Sequence, residues 1–159
     1  VIVNGLSKSY AMTGWRLGYL AAPVGLSAES LKVHSYNVTA AATMGQYAAI
    51  EALRNGDEDI KTMKAEYDRR RRFLLNSLRD MGFECFEPKG AFYVFPSIKK
   101  TGLSSEQFAE RLLKEGKVSV VPGSAFGENG QGYVRMAYAT SMENLREAVE
   151  RIRRFVENL

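Results

Sequence analysis

A lysine and an arginine stand eight positions apart near the beginning of the sequence, in a segment of small residues. The segment reads GLSKSYAMTGWRLGY and carries Lys8 and Arg16, with glycine at positions 5, 14 and 18. Because little side-chain bulk surrounds Lys8, a bound carbonyl compound can approach its amine closely enough to form a Schiff base. The planar, permanently charged fork of Arg16 suits a phosphate group. Pyridoxal 5'-phosphate (PLP) carries both an aldehyde and a phosphate, so it fits these two side chains.

This segment resembles the cofactor-lysine motif of class I aminotransferases, the aspartate aminotransferase-like PLP enzymes of fold type I. The resemblance implies that Lys8 forms the Schiff base with PLP and moves a proton to and from the α-carbon of the substrate. It also implies that Arg16 grips the phosphate. Many relatives have a serine three residues before the lysine, where this sequence has Gly5. Ser7 is therefore a candidate to bind the phosphate, with a backbone-capping role as an equal alternative.

A second motif, VVPGSAFGENGQGYVRMAYAT, lies in the last third of the chain and contains Arg135. A buried arginine needs an anionic partner, and Arg135 has none nearby in the sequence. The motif resembles the C-terminal motif of the same family, which implies that Arg135 binds the α-carboxylate of the substrate in a bidentate fork. A structural ion pair is the alternative.

A third segment, PKGAFYVFP, contains Phe92. It resembles the small-domain strand of the family, in which an aromatic residue lines the substrate entrance. Phe92 is therefore a candidate substrate-binding residue. Packing in the core is an equal alternative for an aromatic side chain in such an apolar run.

The pattern of apolar residues predicts a mixed α/β fold. We expect residues 1–57 to be a remnant of a large PLP-binding domain, and residues 58–159 to form the small C-terminal α/β domain of a fold type I aminotransferase. The apolar residues 1–3 predict a strand of the kind buried in a parallel sheet. Ser104 and Gln107 form a capping box, followed by an inward-facing set of Phe108, Leu112 and Leu113. Helices are expected over 39–53, 58–81, 104–116 and from 141 onward, and strands over 17–22, 83–86, 91–95, 118–121 and 133–139.

Composition excludes several classes of site and of partner. The only cysteine is Cys85 and the only histidine is His34, so neither an internal disulfide nor a metal-ligand cluster is expected, and a reducing compartment is favoured. The sequence contains no run of 18 apolar residues, so we expect no membrane span. The first residues do not resemble a signal peptide, and we therefore expect a cytoplasmic protein. The four arginines at 69–72 follow two acidic residues in a helical pattern, which favours a solvated helix face over a nucleic-acid patch.

The resemblance implies a homodimeric enzyme that exchanges an amino group between an amino acid, aspartate-like or aromatic, and a 2-oxo acid. In this family the residues that contact the pyridine ring lie before the lysine and thus outside these 159 residues. We therefore expect a C-terminal fragment that is inactive alone. Two alternatives stay open: another fold type I enzyme, such as a lyase, decarboxylase or synthase, and a non-catalytic truncated module that pairs with full-length subunits.

Overall fold

The computed structural model describes residues 1–159 as two units, Val1–Lys64 and Ala65–Leu159. Helices and antiparallel sheets occur together in the chain, so the predicted mixed α/β class is confirmed. The assignment of residues 1–57 and 58–159 to a large-domain remnant and a small domain stays a prediction. The structure contains no helix with the length and apolar character that crossing a membrane requires.

The first unit begins with a two-stranded antiparallel sheet. Strand β1 (Ile2–Gly5) pairs with β2 (Gly18–Ala21), so that Ile2 lies opposite Ala21 and Gly5 lies opposite Gly18. The connection between the strands contains a short helix, α1 (Leu6–Ser9), and a 3₁₀ turn at Thr13–Trp15. The sheet therefore brings the two ends of the lysine-to-arginine segment together.

The burial of residues 1–3 in a parallel sheet stays a prediction, because these 159 residues provide β1 with a single neighbouring strand. Strand β1 pairs antiparallel with its single neighbour, and Ile2 and Val3 expose 60% and 77% of their surface. Three consecutive apolar residues show no period, so the pattern cannot distinguish a buried strand from an exposed one.

The first unit also contains two whole helices, α2 (Val24–Val38) and α3 (Thr43–Asn55), and the first turns of the helix that begins at Asp57. The sequence pattern did not predict α2, because its apolar residues do not form one stripe and none of them is buried. The helix predicted from residue 39 begins only at Thr43, since Thr39 has a φ of 62° and interrupts the helical backbone. The small core of this unit consists of Leu6, Met12 and Leu17.

The second unit contains a three-stranded sheet with β5 (Val134–Ala137) in the middle. Strands β3 (Tyr93–Val94) and β4 (Val121–Pro122) pair with it on either side, both antiparallel. The predicted strand over residues 83–86 is wrong, because this segment pairs with no strand. Its backbone hydrogen bonds include one from the Ser97 N–H to the Glu84 carbonyl at 2.8 Å and one from the Phe83 N–H to the Leu78 carbonyl at 3.0 Å.

Three further helices pack around this sheet. Helix α4 (Asp57–Asp80) ends before Gly82, which has the positive φ of 79° that favours glycine. Helix α5 (Ser105–Arg111) has the predicted capping box and continues into a π-helical turn at Leu112–Gly116. Helix α6 (Met142–Glu157) begins one residue after the predicted start at residue 141, and Ser141 is its N-cap.

The core of the second unit lies between the sheet and the three helices. Adjacent residues of a helix point about 100° apart. Leu112 is therefore completely buried while Leu113 is 51% exposed, and the predicted inward position of Leu113 is wrong. Along β5 the even-numbered residues are buried and the odd-numbered ones are more accessible, as the two-residue period of a strand requires. The hydrophobic residues with no exposed surface are Leu78, Ile98, Phe108, Leu112 and Val134.

The four arginines of helix α4 form ion pairs within the helix and with one loop residue. Glu66 pairs with Arg69 and Arg70, and Asp68 pairs with the next two arginines. Arg71 also pairs with Glu87, at 2.7 Å between Nη1 and Oε1. Hydrogen bonds from Arg69 and Arg70 lower the pKa of Glu66 to about 2. The face is therefore an ion-pair network in which Arg69 and Arg72 are 57% and 70% exposed, as expected for a solvated face, whereas Arg71 is only 17% exposed.

Candidate active site

Lys8 lies in α1, between the two strands of the first unit, and its side chain is exposed. The glycines at either end of this connection allow a close approach of β1 and β2. A Cβ atom at Gly5 would lie 3.3 Å from the Leu17 carbonyl oxygen, and one at Gly18 would lie 3.1 Å from the Asn4 carbonyl oxygen. This crowding gives a physical reason for glycine at position 5.

Hydrogen bonds through Thr13 join Ser7 to Arg16. The Thr13 hydroxyl donates to the Ser7 carbonyl at 2.8 Å, and Arg16 Nη1 donates to the Thr13 carbonyl at 3.0 Å. The structure therefore connects the Arg16 side chain to the backbone of Ser7, the residue that precedes Lys8.

Two residues of this segment have left-handed backbone conformations. Ala11 has a φ of 53° and Arg16 a φ of 55°. Residues other than glycine pay about 1 kcal/mol or more in this region, and such strain is found most often at functional sites. The strain at Arg16 fixes the direction in which its side chain leaves the backbone.

Arg135 lies in the middle of β5, opposite Val121 of β4. Its guanidinium lies between two aromatic rings, with Cζ 4.4 Å from the ring centroid of Tyr93 and 4.7 Å from that of Phe126. It forms no ion pair with a carboxylate of these 159 residues, and both its role in carboxylate binding and the alternative of a structural ion pair stay predictions.

Sequence reasoning missed both aromatic neighbours of Arg135. Tyr93 pairs with Ala137, two residues along the same face of β5 from Arg135, so the strand register places ring and guanidinium on one side of the sheet. Phe126 belongs to the 3₁₀ turn that follows β4. An aromatic residue in each neighbouring segment was visible in the sequence, but the register and the loop conformation that bring the two rings to Arg135 were not.

Phe92 packs within the second unit. Its ring stacks on Tyr67 at 6.0 Å between centroids, and its carbonyl accepts a hydrogen bond from the Tyr138 N–H at 2.9 Å. The Phe92 ring also lies 4.6 Å from that of Tyr93. Core packing, the alternative considered for Phe92, therefore accounts for these contacts. The role of Phe92 at the substrate entrance stays a prediction.

The loop that carries Phe126 is fastened to the N-terminus of α5. The Ser124 hydroxyl and the Gln131 amide both donate hydrogen bonds to the Glu106 carboxylate. Buried Ser105 accepts a hydrogen bond from the Gly132 N–H at 2.9 Å. Hydrogen bonds to the carboxylate, with the one from Ser124 as the largest cause, lower the pKa of Glu106 to about 2.

We expect Glu106→Gln to reduce the loss of stability of this chain in acid. The pKa of Glu106 lies below its ordinary value of 4.5, so its carboxylate stabilises the fold above that pH. That contribution is lost as the pH falls from about 4.5 to about 2. The glutamine does not titrate, and the variant should therefore show a shallower pH dependence of the urea midpoint in this window.

The matched control is Glu128→Gln. Its carboxylate is exposed in the same loop and accepts no hydrogen bond. This variant should keep the pH dependence of the parent. If the urea midpoint of Glu106→Gln depends on pH as steeply as that of the parent chain, the anchoring role of Glu106 is contradicted.

Comparison with known proteins identifies the family. Residues 1–152 match the family model described as aminotransferase class I and II. The chain belongs to this family. The resemblance to class I aminotransferases that the lysine segment predicted is thereby confirmed.

Individual aminotransferases are similar over nearly the whole chain. An aspartate aminotransferase of Pyrococcus abyssi is 51% identical over 96% of this chain, and an aromatic-amino-acid aminotransferase of Thermococcus litoralis is 49% identical over 99% of it. The crystal structure of an aromatic aminotransferase from Pyrococcus horikoshii matches with a TM-score of 0.93 and 50% identity over 98% of this chain. These matches cover only 40% to 42% of the relatives, so the chain spans about two fifths of the length of the aminotransferases it resembles.

Proposed function

We propose that this chain is part of a PLP-dependent aminotransferase that moves an amino group between an amino acid, aspartate-like or aromatic, and a 2-oxo acid. The observation that carries the proposal is that, in a chain of this family, hydrogen bonds through Thr13 join Arg16 to Ser7, the residue that precedes Lys8. The names of the relatives, aspartate and aromatic aminotransferases, support both substrate classes.

The groups of the lysine segment fit PLP by their chemistry. A primary amine suits its aldehyde, and a guanidinium with one donor bonded to Thr13 keeps further N–H groups for its phosphate. Lys8 would hold the cofactor covalently, while Arg16 and Ser7 would bind the phosphate. When bound, PLP supplies an electron sink for the negative charge that develops on the substrate α-carbon.

The remaining chemistry belongs to side chains of this chain. Lys8 Nζ would take up the proton that leaves the α-carbon of the amino acid. Arg135 would bind the α-carboxylate through two parallel N–H···O bonds, which fixes the direction of the α C–H bond. Phe92 would border the side chain of the substrate.

The function is tested with the full-length protein, aspartate or phenylalanine as amino donor, and 2-oxoglutarate as acceptor. We expect glutamate to form in equal amount to the 2-oxo acid released from the donor. A lyase or decarboxylase would instead release ammonia or carbon dioxide without stoichiometric glutamate, and that result would contradict the proposal. The chain of 159 residues alone should form no glutamate.

We further propose that the full-length enzyme is a homodimer in the cytoplasm, and that residues 1–57 and 58–159 belong to its large and small domains. Membership of the family supports the dimer, and the absence of any cysteine pair favours a reducing compartment. Sedimentation of the holoenzyme tests the first of these proposals directly.

A further inference from the structure

We propose that Tyr93 and Phe126 are positioning residues, which hold the Arg135 guanidinium in the orientation that receives the substrate carboxylate. The inference rests on the proposed function, since it assigns the two rings a task in that reaction. It starts from the contacts already described, 4.4 Å and 4.7 Å from Cζ to the two ring centroids. Both distances lie within the range of favourable cation–π contacts.

The rings hold the guanidinium without using its hydrogen-bond donors. An arginine has five N–H donors, and the recorded contacts of the Arg135 side chain within these 159 residues are the two aromatic rings. An acidic neighbour would fix the side chain equally well but would occupy those donors. Two aromatic faces fix it and leave the fork available for a carboxylate.

Each ring is held in place by contacts that need no ligand. Tyr93 belongs to β3, and its ring contacts that of Phe92 at 4.6 Å. Phe126 contacts Phe95 edge to face at 6.1 Å, and Phe95 stacks on Tyr133 at 5.5 Å. The Glu106 anchor fastens the loop of Phe126 to α5. Arg135 is therefore preorganised, and binding need not order a flexible side chain.

The experiment uses the full-length holoenzyme and the dicarboxylate maleate, which binds without reacting. The variants are Phe126→Leu, Tyr93→Leu and Tyr93→Phe, with Phe86→Leu as the matched control because Phe86 is 80% exposed and contacts no other ring. Calorimetry gives the Kd of maleate, steady-state kinetics give KM and kcat, and absorbance gives the PLP content.

We expect Phe126→Leu and Tyr93→Leu each to raise the Kd of maleate and the KM of the amino acid by about threefold to tenfold. The kcat value and the PLP content should stay within about twofold of the parent, because neither ring takes part in proton transfer. Tyr93→Phe keeps the ring and should restore parent affinity. Phe126 is 53% exposed, so its leucine variant should fold normally.

Arg135→Leu separates this inference from the proposed function. If Arg135→Leu loses maleate binding while both ring variants bind like Phe86→Leu, the positioning role is overturned and the function stands. If Arg135→Leu binds maleate like the parent, the assigned carboxylate site itself is wrong. In the Arg135→Leu background, Phe126→Leu should change the residual affinity no further; an additional loss there would mean that the ring contacts the ligand directly, which also overturns the inference.

Discussion

Replacing Lys8 with alanine in the full-length enzyme is expected to abolish covalent attachment of PLP and to lower transamination by at least about 10⁴-fold. The loss combines two effects, because the same amine would hold the cofactor and accept the α-proton. Borohydride reduction followed by peptide mapping measures the first effect directly: a pyridoxyl group should appear on the Lys8 peptide of the parent and be absent from the variant.

Two further variants test whether labelling requires the amine of Lys8 itself. One keeps the positive charge at position 8, and the other removes a different exposed lysine. Lys8→Arg keeps a positive charge but cannot condense with an aldehyde, so it should also lose the label. Lys32→Ala removes another exposed lysine of the first unit, one that pairs with Glu29, and should leave labelling unchanged. A pyridoxyl group found on any other residue of the parent would contradict the assignment of Lys8.

Gly123→Ala is expected to destabilise the second unit by about 1–3 kcal/mol and to weaken binding of maleate to the full-length holoenzyme. A Cβ atom at position 123 would lie 2.1 Å from the Gly130 carbonyl oxygen and 2.7 Å from that of Tyr133. The Tyr133 carbonyl cannot move away from the new Cβ atom without breaking a hydrogen bond, because it accepts one from the Gly123 N–H at 2.8 Å. The loop must therefore open, and Phe126 moves with it.

The matched control is Gly90→Ala, because a Cβ atom there meets nothing within 4 Å. Urea denaturation of the two variants measures the difference in the free energy of unfolding. A Gly123→Ala protein as stable as Gly90→Ala would show that the contact between the two ends of this loop does not matter for the fold.

The elements with local signals could be predicted from the sequence. The capping box at Ser104 and Gln107, the glycine that ends α4 and the N-cap at Ser141 all depend on residues within a few positions of one another. The lysine segment belongs to the same category, since one continuous stretch carries Ser7, Lys8 and Arg16. Local chemistry of this kind does not depend on how distant parts of the chain meet.

The surroundings of Arg135 could not be predicted, because they depend on pairing over long distances. Tyr93 lies some 40 residues from Arg135 in the sequence, and the register of β3 and β5 brings the two residues together. Phe126 contacts Arg135 because of the conformation of the loop that follows β4. From the sequence we expected an anionic partner for Arg135, whereas in the structure its guanidinium contacts two aromatic rings. Helix α2 escaped prediction for a different reason, because its apolar residues are all exposed and follow no core-facing period.

The alternation along β5 has a consequence for protein engineering. Val134 and Met136 point into the interior, whereas Arg135 between them points to the other side, so one short strand would combine core packing with the proposed binding of a carboxylate. Replacing Val134 and Met136 with other apolar side chains of similar volume would change the thermal stability of the protein without changing which ligand it binds. Inserting a single residue into the strand would exchange the two sides and damage both properties together.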